Sequence, residues 1–455
     1  MFVLSNAVFS QSEKCQNSFD QFAKEYNSNS YNRIFDSFSI GMQQALPVEK
    51  SQQFFSGLYI QAGKIITYDF QKSENDNTAI YKTTFERGVF SIQISVDTEN
   101  KISGFVVQPF TQPSNSTLVN NLNGYPKEIA SLIYSNSKDF PPNTQVSVAI
   151  ITNGKAKYYG AKVVNDTLIA IENNNMVFEI GSLSKVFTST ILAALVVDGK
   201  VNLKDQINPV YPFLFKNNAS ITYESLANHT SGLPRLPPNL DVSNTENPYK
   251  NYGVKEFDYF LSNQMQLASA TNNEYDYSNT GAGLLGHTLA LSQNTTFKDL
   301  LENLIFKKYK MNASYTNAQN VGNRLVPGLD AKGDAISNWD FDVLVGAGGI
   351  LSTTTDLVQF AQAQFEPKNK ALELTRNPTA IINDNMKIGL GWHILKSKKG
   401  RNLIWHNGGT GGYSSSMALD VKNKNGVIIL SNVSGLTAEN EKIDALCFSL
   451  IESLH

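Results

Sequence analysis

Phe178-Glu-Ile-Gly-Ser-Leu-Ser-Lys-Val-Phe-Thr-Ser-Thr-Ile-Leu-Ala-Ala-Leu-Val-Val-Asp-Gly199 is the most informative stretch of the chain. From Ser182 to Asp198 it holds neither Gly nor Pro, and Gly199 follows, which predicts a helix stopped by a glycine C-cap. Ser182 opens that helix and Lys185 comes three residues later, so a hydroxyl and an amine share one face, with about 5–6 Å between Cβ atoms. A serine hydroxyl is a weak nucleophile until a neighbouring base takes its proton. Burial beside the positive end of a helix favours the neutral form of lysine, which can act as that base. The spacing therefore points to nucleophilic chemistry without a Ser/His/Asp triad.

Ser-x-x-Lys alone is a weak signal. Ser135 and Lys138 also match it, in Asn-Ser-Lys-Asp-Phe-Pro-Pro, where the prolines predict a loop that cannot set the pair on a helix. A second element is Tyr277-Ser-Asn279, in which a phenol can relay protons and an amide can hold a substrate carbonyl or N–H. Tyr-x-Asn recurs at Tyr134, Tyr249 and Tyr315, so only context selects among the copies. The third is Trp405-His-Asn-Gly-Gly-Thr-Gly-Gly-Tyr-Ser414, a strand ending in a polar ring and then a backbone without side chains, where a ligand can reach main-chain N–H groups.

The remaining composition excludes several classes. The chain has 455 residues with 38 Lys+Arg against 40 Asp+Glu, which leaves no basic surplus for a nucleic acid or an anionic membrane. No apolar run approaches the ~18 residues of a membrane span. Gly281-Ala-Gly-Leu-Leu-Gly286 matches a dinucleotide fingerprint but follows Asn, Glu, Asp and Tyr rather than a hydrophobic strand, and reads as close packing at a helix start. His229, His287, His393 and His406 lack metal-ligand spacing, so neither a metal nor an organic cofactor is implied. His229 and His393 are read as structural, and Asp276 as a capping or solvent-facing acid. Cys15 and Cys447 show no framework spacing, and Cys447 falls on an apolar helical face with Ile443, Leu446 and Leu450. Residues 1–15 read as a leader or its remnant, with an apolar core and small Ala7 and Ser10, which favours a periplasmic or secreted protein over a cytoplasmic one.

The organisation reads as a small α+β domain over residues 16–112, a turn-rich linker over 113–124, and a larger domain over 125–455. In the first, helical patterns (Phe19, Phe22, Ala23, Tyr26, then Tyr31, Ile34, Phe35, Phe38, Met42) precede period-two strands around Tyr81–Phe85, Phe90–Val96 and Ile102–Val107. In the second, a hairpin at Asn153-Gly154 and strands around Leu403–His406, Ser414–Leu419 and Val427–Ser431, the last two flanking an Asn425-Gly426 turn, lie at the two ends. Helical pieces over about 201–347 lie between them. This predicts an antiparallel sheet built from both ends of the segment, flanked by helices, with a helical subdomain inserted.

The three motifs in this order resemble those of the serine β-lactamases, penicillin-binding D-alanyl-D-alanine peptidases and related esterases, and their spacing resembles the class C-like branch. Leu226-Ala-Asn-His-Thr-Ser-Gly-Leu-Pro234, Ala347-Gly-Gly-Ile-Leu-Ser-Thr353 and Gly389-Leu-Gly-Trp-His393 are similar to strings of that branch. The small domain resembles nuclear-transport-factor-2-like or cystatin-like modules. The larger resemblance implies Ser182 as the acylated nucleophile, Lys185 and Tyr277 as the proton-shuttling pair, and the N–H groups of Ser182 and Gly409 as the oxyanion hole. It implies Asn279, His406 and Gly408 as substrate-binding residues. The third motif reads His-Asn-Gly where lactamases of this branch usually show Lys-Thr-Gly. His406 is therefore expected to titrate near neutrality and to anchor a carboxylate more weakly, which favours peptidase or esterase action on a D-amino-acid peptide or small ester over β-lactam hydrolysis. A sensor or binder of penicillins or peptidoglycan fragments with little turnover is the alternative.

Overall fold

The computed structural model describes residues 13–454 except 87, 111–117, 242, 243, 245 and 269–273, so residues 1–12 of the expected leader and most of the N-terminal half of the expected linker lie outside the described residues. Contacts divide the chain into two units, Met1–Pro113 with Leu436–Ala438, and Ser114–Gly435 with Glu439–His455.

In the smaller unit four helices precede a four-stranded sheet. The helix Glu13–Asn27 buries Cys15, Phe19, Phe22, Ala23 and Tyr26 along one face, and Phe19 stacks on Tyr81 with ring centroids 4.0 Å apart. The single helical pattern read over Tyr31–Met42 is split into Tyr31–Asp36 and Ile40–Ala45. Ser39 caps the second piece by accepting from Met42 N, which stops one helix from running through. The helix Val48–Ala62, between Pro47 and Gly63 (φ 78°), was not expected; its aromatic and polar residues mix too freely to show a clear period. Ile65–Asn75, Thr78–Phe85, Gly88–Val96 and Ile102–Pro109 then pair antiparallel in sequence order.

The larger unit is built on a ten-stranded sheet. Its spatial order is Ala380–Asn383, Met386–Ile388, His393–Lys396, Asn402–Gly409, Ser414–Asp420, Asn425–Ser431, Gln145–Thr152, Lys155–Val164, Thr167–Ile171 and Val119–Asn121. All neighbours are antiparallel except the last pair, and the junction of Asn425–Ser431 with Gln145–Thr152 joins the two ends of the segment. Asn153 and Gly154 both take positive φ (50° and 78°), as a tight two-residue hairpin requires. The second hairpin differs from expectation. Its reversal occupies residues 421–424, with Lys424 at φ 53°, while Asn425 pairs with Asp420 inside the ladder.

One face of the sheet packs Val146, Val148, Ile150, Val427 and Ile429 against Ile443, Leu446, Cys447 and Leu450 of the helix Asn440–Ser453. Both cysteines are buried, and among the described residues they form no disulfide. Ser135 and Lys138 correct the reading of that segment as a loop. Ser135 lies in the helix Lys127–Ser137 and Lys138 at its C-cap, because Pro141 and Pro142 follow the helix and end it rather than break it. Ser135 Oγ donates to Leu132 O within that helix. The opposite face carries the helix Ser184–Val197, buried on every side from Ser184 to Leu195 and packed by Asn279–Ser292, Val345–Gly348 and Lys370–Thr375.

The strand Asn425–Ser431 is buried at every position. Ile429→Ala is expected to destabilise the larger unit by about 2–5 kcal/mol through lost burial and an unfilled cavity. All three tryptophans lie in that unit, so a urea titration followed by tryptophan fluorescence reads it. A loss below about 0.5 kcal/mol would contradict the packing described.

Candidate active site

Ser182 sits in a 3-10 turn, Gly181–Leu183, that runs directly into the helix Ser184–Val197. Gly181 makes the entry possible. Its φ is 51°, and a Cβ there would lie 2.6 Å from Gly409 N. Lys185 Nζ lies 2.9 Å from Ser182 Oγ and donates to Ala347 O at 2.7 Å. The segment carrying Ala347 is fastened to the same helix, because Thr188 Oγ1 donates to Gly346 O at 2.7 Å and Ile350 N donates to Ser184 Oγ at 3.1 Å. Lys185 is 2% exposed. Burial pushes its pKa well below the usual lysine range, and the charge of Arg235 adds to that push. A neutral amine with one N–H bound to Ala347 O can turn its lone pair to the Ser182 proton, which is the geometry of a general base.

Tyr277 and Asn279 arrive on the other wall. Ser278 caps the helix Asn279–Ser292 by accepting from Gly281 N, and its own hydroxyl donates to Pro234 O. Ser278 N donates to His229 Nδ1 at 3.2 Å, so the His229 proton is on Nε2, and the His229 and Tyr277 rings meet at 4.6 Å. The Tyr277 hydroxyl faces Ser182. Burial raises the phenol pKa, opposed by the contact with Ser182 and by Arg235. Lys185 Nζ is 4.8 Å and Arg235 Cζ 5.2 Å from the Tyr277 ring centre. Asn279 Oδ1 is buried without a hydrogen-bond partner, as a group kept for a substrate donor would be.

The third motif forms the end of the strand Asn402–Gly409. Gly408 is packed against the nucleophile turn so closely that a Cβ would lie 2.0 Å from Ile180 O and 2.8 Å from Ser182 N. Ser415 Oγ donates to Ile180 O at 2.8 Å and locks the same approach. The backbones of Ser182 and Gly409 are thereby brought together, as two N–H groups serving one oxyanion require. Below them Glu179, 4% exposed, accepts from Asn338 Nδ2 at 2.7 Å and Trp339 N at 3.0 Å. Burial raises the Glu179 pKa to about 7.

His406 corrects the expectation of a group titrating near neutrality. It is 1% exposed, and burial first, then His393 and Lys185, hold its pKa well below the usual histidine value. Its Nδ1 lies 2.6 Å from Asn407 O, which can only accept, so Nδ1 carries the proton. Nε2 is then a buried lone pair without a partner. The position where a lysine would donate charge holds a neutral acceptor. His229 and His393 were read as structural, yet both belong to this cluster. His393 Nε2 is 3.1 Å from the Tyr275 hydroxyl, and its ring is 5.1 Å from that of His406. Arg235 carried no sequence signal beyond following the Leu226–Pro234 string. Among the described residues no group of three His, Cys, Asp or Glu could hold a metal ion, and no helix is long and apolar enough to cross a membrane.

A serine and an amine at a helix start, a phenol and an amide across from them, and a glycine-rich strand end over an antiparallel sheet define a β-lactamase-like serine acyl-transfer site. The chain belongs to the beta-lactamase family, whose model matches residues 143–447. Residues 20–105 match a second model, described as a protein of unknown function (DUF3887). A β-lactamase of Pseudomonas fluorescens is 29% identical over 259 residues, 55% of this chain and 69% of its own. The D-alanyl-D-alanine-carboxypeptidase/endopeptidase AmpH of Escherichia coli (strain K12) is 25% identical over 331 residues, 64% and 84% of the two chains. A solved class C β-lactamase shares the fold, with a TM-score of 0.60, 21% identity, and 72% of this chain and 96% of that one covered.

Two measurements check the electrostatics. Histidine side-chain NMR should find His406 neutral with its proton on Nδ1 from pH 8 down to pH 5; a midpoint between 6 and 7 would show that water reaches the ring. For Glu179, a folded pKa of about 7 lies above the ordinary 4.5. The stability that its neutral form contributes is therefore complete below about pH 4.5 and lost as pH rises through 7. Glu179→Gln keeps an oxygen for Asn338 and Trp339 but cannot ionise. It should match the parent at pH 4.5 and exceed it by on the order of a few kcal/mol at pH 8 in urea unfolding, and equal stabilities at pH 8 would refute the assignment.

Proposed function

We propose that the chain is a serine hydrolase that takes the acyl group of a D-amino-acid peptide or small ester onto Ser182 and passes it to water. The observation that carries this reading is the 2.9 Å contact between Ser182 Oγ and a Lys185 amine kept neutral by burial. The Ser182 proton moves to Lys185 Nζ as Oγ bonds to the substrate carbonyl carbon, and the oxyanion lies against the N–H groups of Ser182 and Gly409. The C–N or C–O bond then breaks, and Lys185, through Tyr277, returns the proton to the leaving amine or alcohol. Water enters by the reverse route: it gives its proton to the same pair, attacks the ester carbon and releases the acid with Ser182 restored.

Hydrolysis of β-lactams is the less favoured use of the site, since the neutral His406 leaves the strand side, where a lysine would stand, without a positive charge. Intact mass spectrometry tests the proposal. A fluorophosphonate should add once to the wild type and not to Ser182→Ala, and Lys185→Ala should slow ester hydrolysis about 10²–10⁴-fold. A penicillin adduct that persists without steady-state product from any ester or peptide would favour a sensor of low turnover. No adduct from either reagent on folded protein would exclude an activated serine.

A further inference from the structure

The charges around Ser182 do not balance. Lys185, His229, His393 and His406 face the nucleophile from the helix start, the Leu226–Pro234 segment and two strands, and burial disfavours a charge on each. Glu179 lies behind the turn and is occupied by Asn338 and Trp339. Asp276 is exposed next to Tyr277, and its backbone N–H, not its carboxylate, is tied to the cluster, through His229 O. Among the described residues around Tyr277, Arg235 remains as a permanent cation.

Arg235 is placed with care at its backbone and left open at its side chain. Its carbonyl oxygen accepts from Asn279 N at 2.9 Å and Thr280 N at 3.2 Å, which anchors it to the start of the helix carrying the second motif. The side chain is exposed, and its guanidinium lies over Tyr277, the ring that Lys185 also touches. Among the described residues it has no hydrogen bond and no acidic partner. Its field nevertheless reaches Lys185, His229, Tyr249, Tyr275 and Tyr277. A guanidinium with five donors in a planar fork suits a carboxylate, which it can hold through two parallel hydrogen bonds.

We propose that Arg235 is the carboxylate anchor of this site, selecting acyl substrates whose leaving portion carries a free carboxylate, such as the C-terminal residue of a peptide. It supplies from the Tyr277 side the positive charge that His406 does not supply from the strand. This rests on the reading of the site as a serine hydrolase, and its test is a binding measurement that needs no turnover.

The experiment uses the full chain carrying Ser182→Ala and titrates it with N-acetyl-D-alanyl-D-alanine and with the same peptide as its C-terminal amide. The acid should bind at least tenfold more tightly than the amide. Arg235→Ala should remove that preference while leaving the amide affinity within about twofold, and Arg235→Lys should restore part of it, the shortfall reflecting the lost fork. A preference that survives in Arg235→Ala, or no preference in the parent, overturns the proposal. An equal loss for acid and amide also overturns it, because Arg235 would then shape the pocket rather than read charge. Fluorophosphonate labelling of the chain with Ser182 intact reports separately on the hydrolase reading, so the two can fail independently.

Discussion

A lysine amine buried beside a serine hydroxyl, with no carboxylate to neutralise it, is the constraint around which the larger unit is arranged. Removing a charged ammonium from water is strongly unfavourable, so the amine stays neutral as long as water and acids are kept away. The helix Ser184–Val197 meets that requirement by being buried all round, which an amphipathic surface helix could not do. The segment Gly346–Ile350 closes the remaining side and offers Lys185 a carbonyl rather than a charge. A carbonyl orients the amine and leaves its lone pair free, whereas a carboxylate in the same place would favour the ammonium and remove the base.

The nucleophile turn is held by contacts in which a side chain would be in the way. Across the turn and the strand end Gly181 meets Gly409, and Gly408 meets Ile180 and Ser182, at separations that no Cβ tolerates. The strand brings Gly409 to Ser182 only because Gly408 leaves room. Rigid placement of both backbones matters more here than any one side chain, because an oxyanion hole stabilises charge only if its donors are already in position.

These two sets of contacts differ in how much the sequence reveals. Ser182 and Lys185 are three residues apart on one helix, so their meeting follows from helical geometry alone. The hairpin at Asn153-Gly154 is equally local. The turn near Asn425 was misplaced because Lys424, not a glycine, takes the left-handed backbone there. Ser135 and Lys138 were misplaced because the prolines that follow them end a helix as readily as they mark a loop. His229, Arg235 and His393 reach the site through contacts spanning dozens of residues or more, and no period or spacing encodes such distances. His406 was located by its motif, yet its protonation was misjudged, since a motif specifies a residue's identity and not its burial.

That last case limits what membership of the family conveys. The antiparallel sheet, the helix start and the serine–lysine pair are tied together by packing. The third motif is different. A lysine at its first position would present donors and a charge, while His406 presents a lone pair and none. The strand, the glycines and the oxyanion geometry are unaffected by that exchange, because they depend on backbone approach. The same acylation machinery is thus left facing a different electrostatic surface. On the Tyr277 wall that surface includes the exposed guanidinium of Arg235, 5.2 Å from the ring centre.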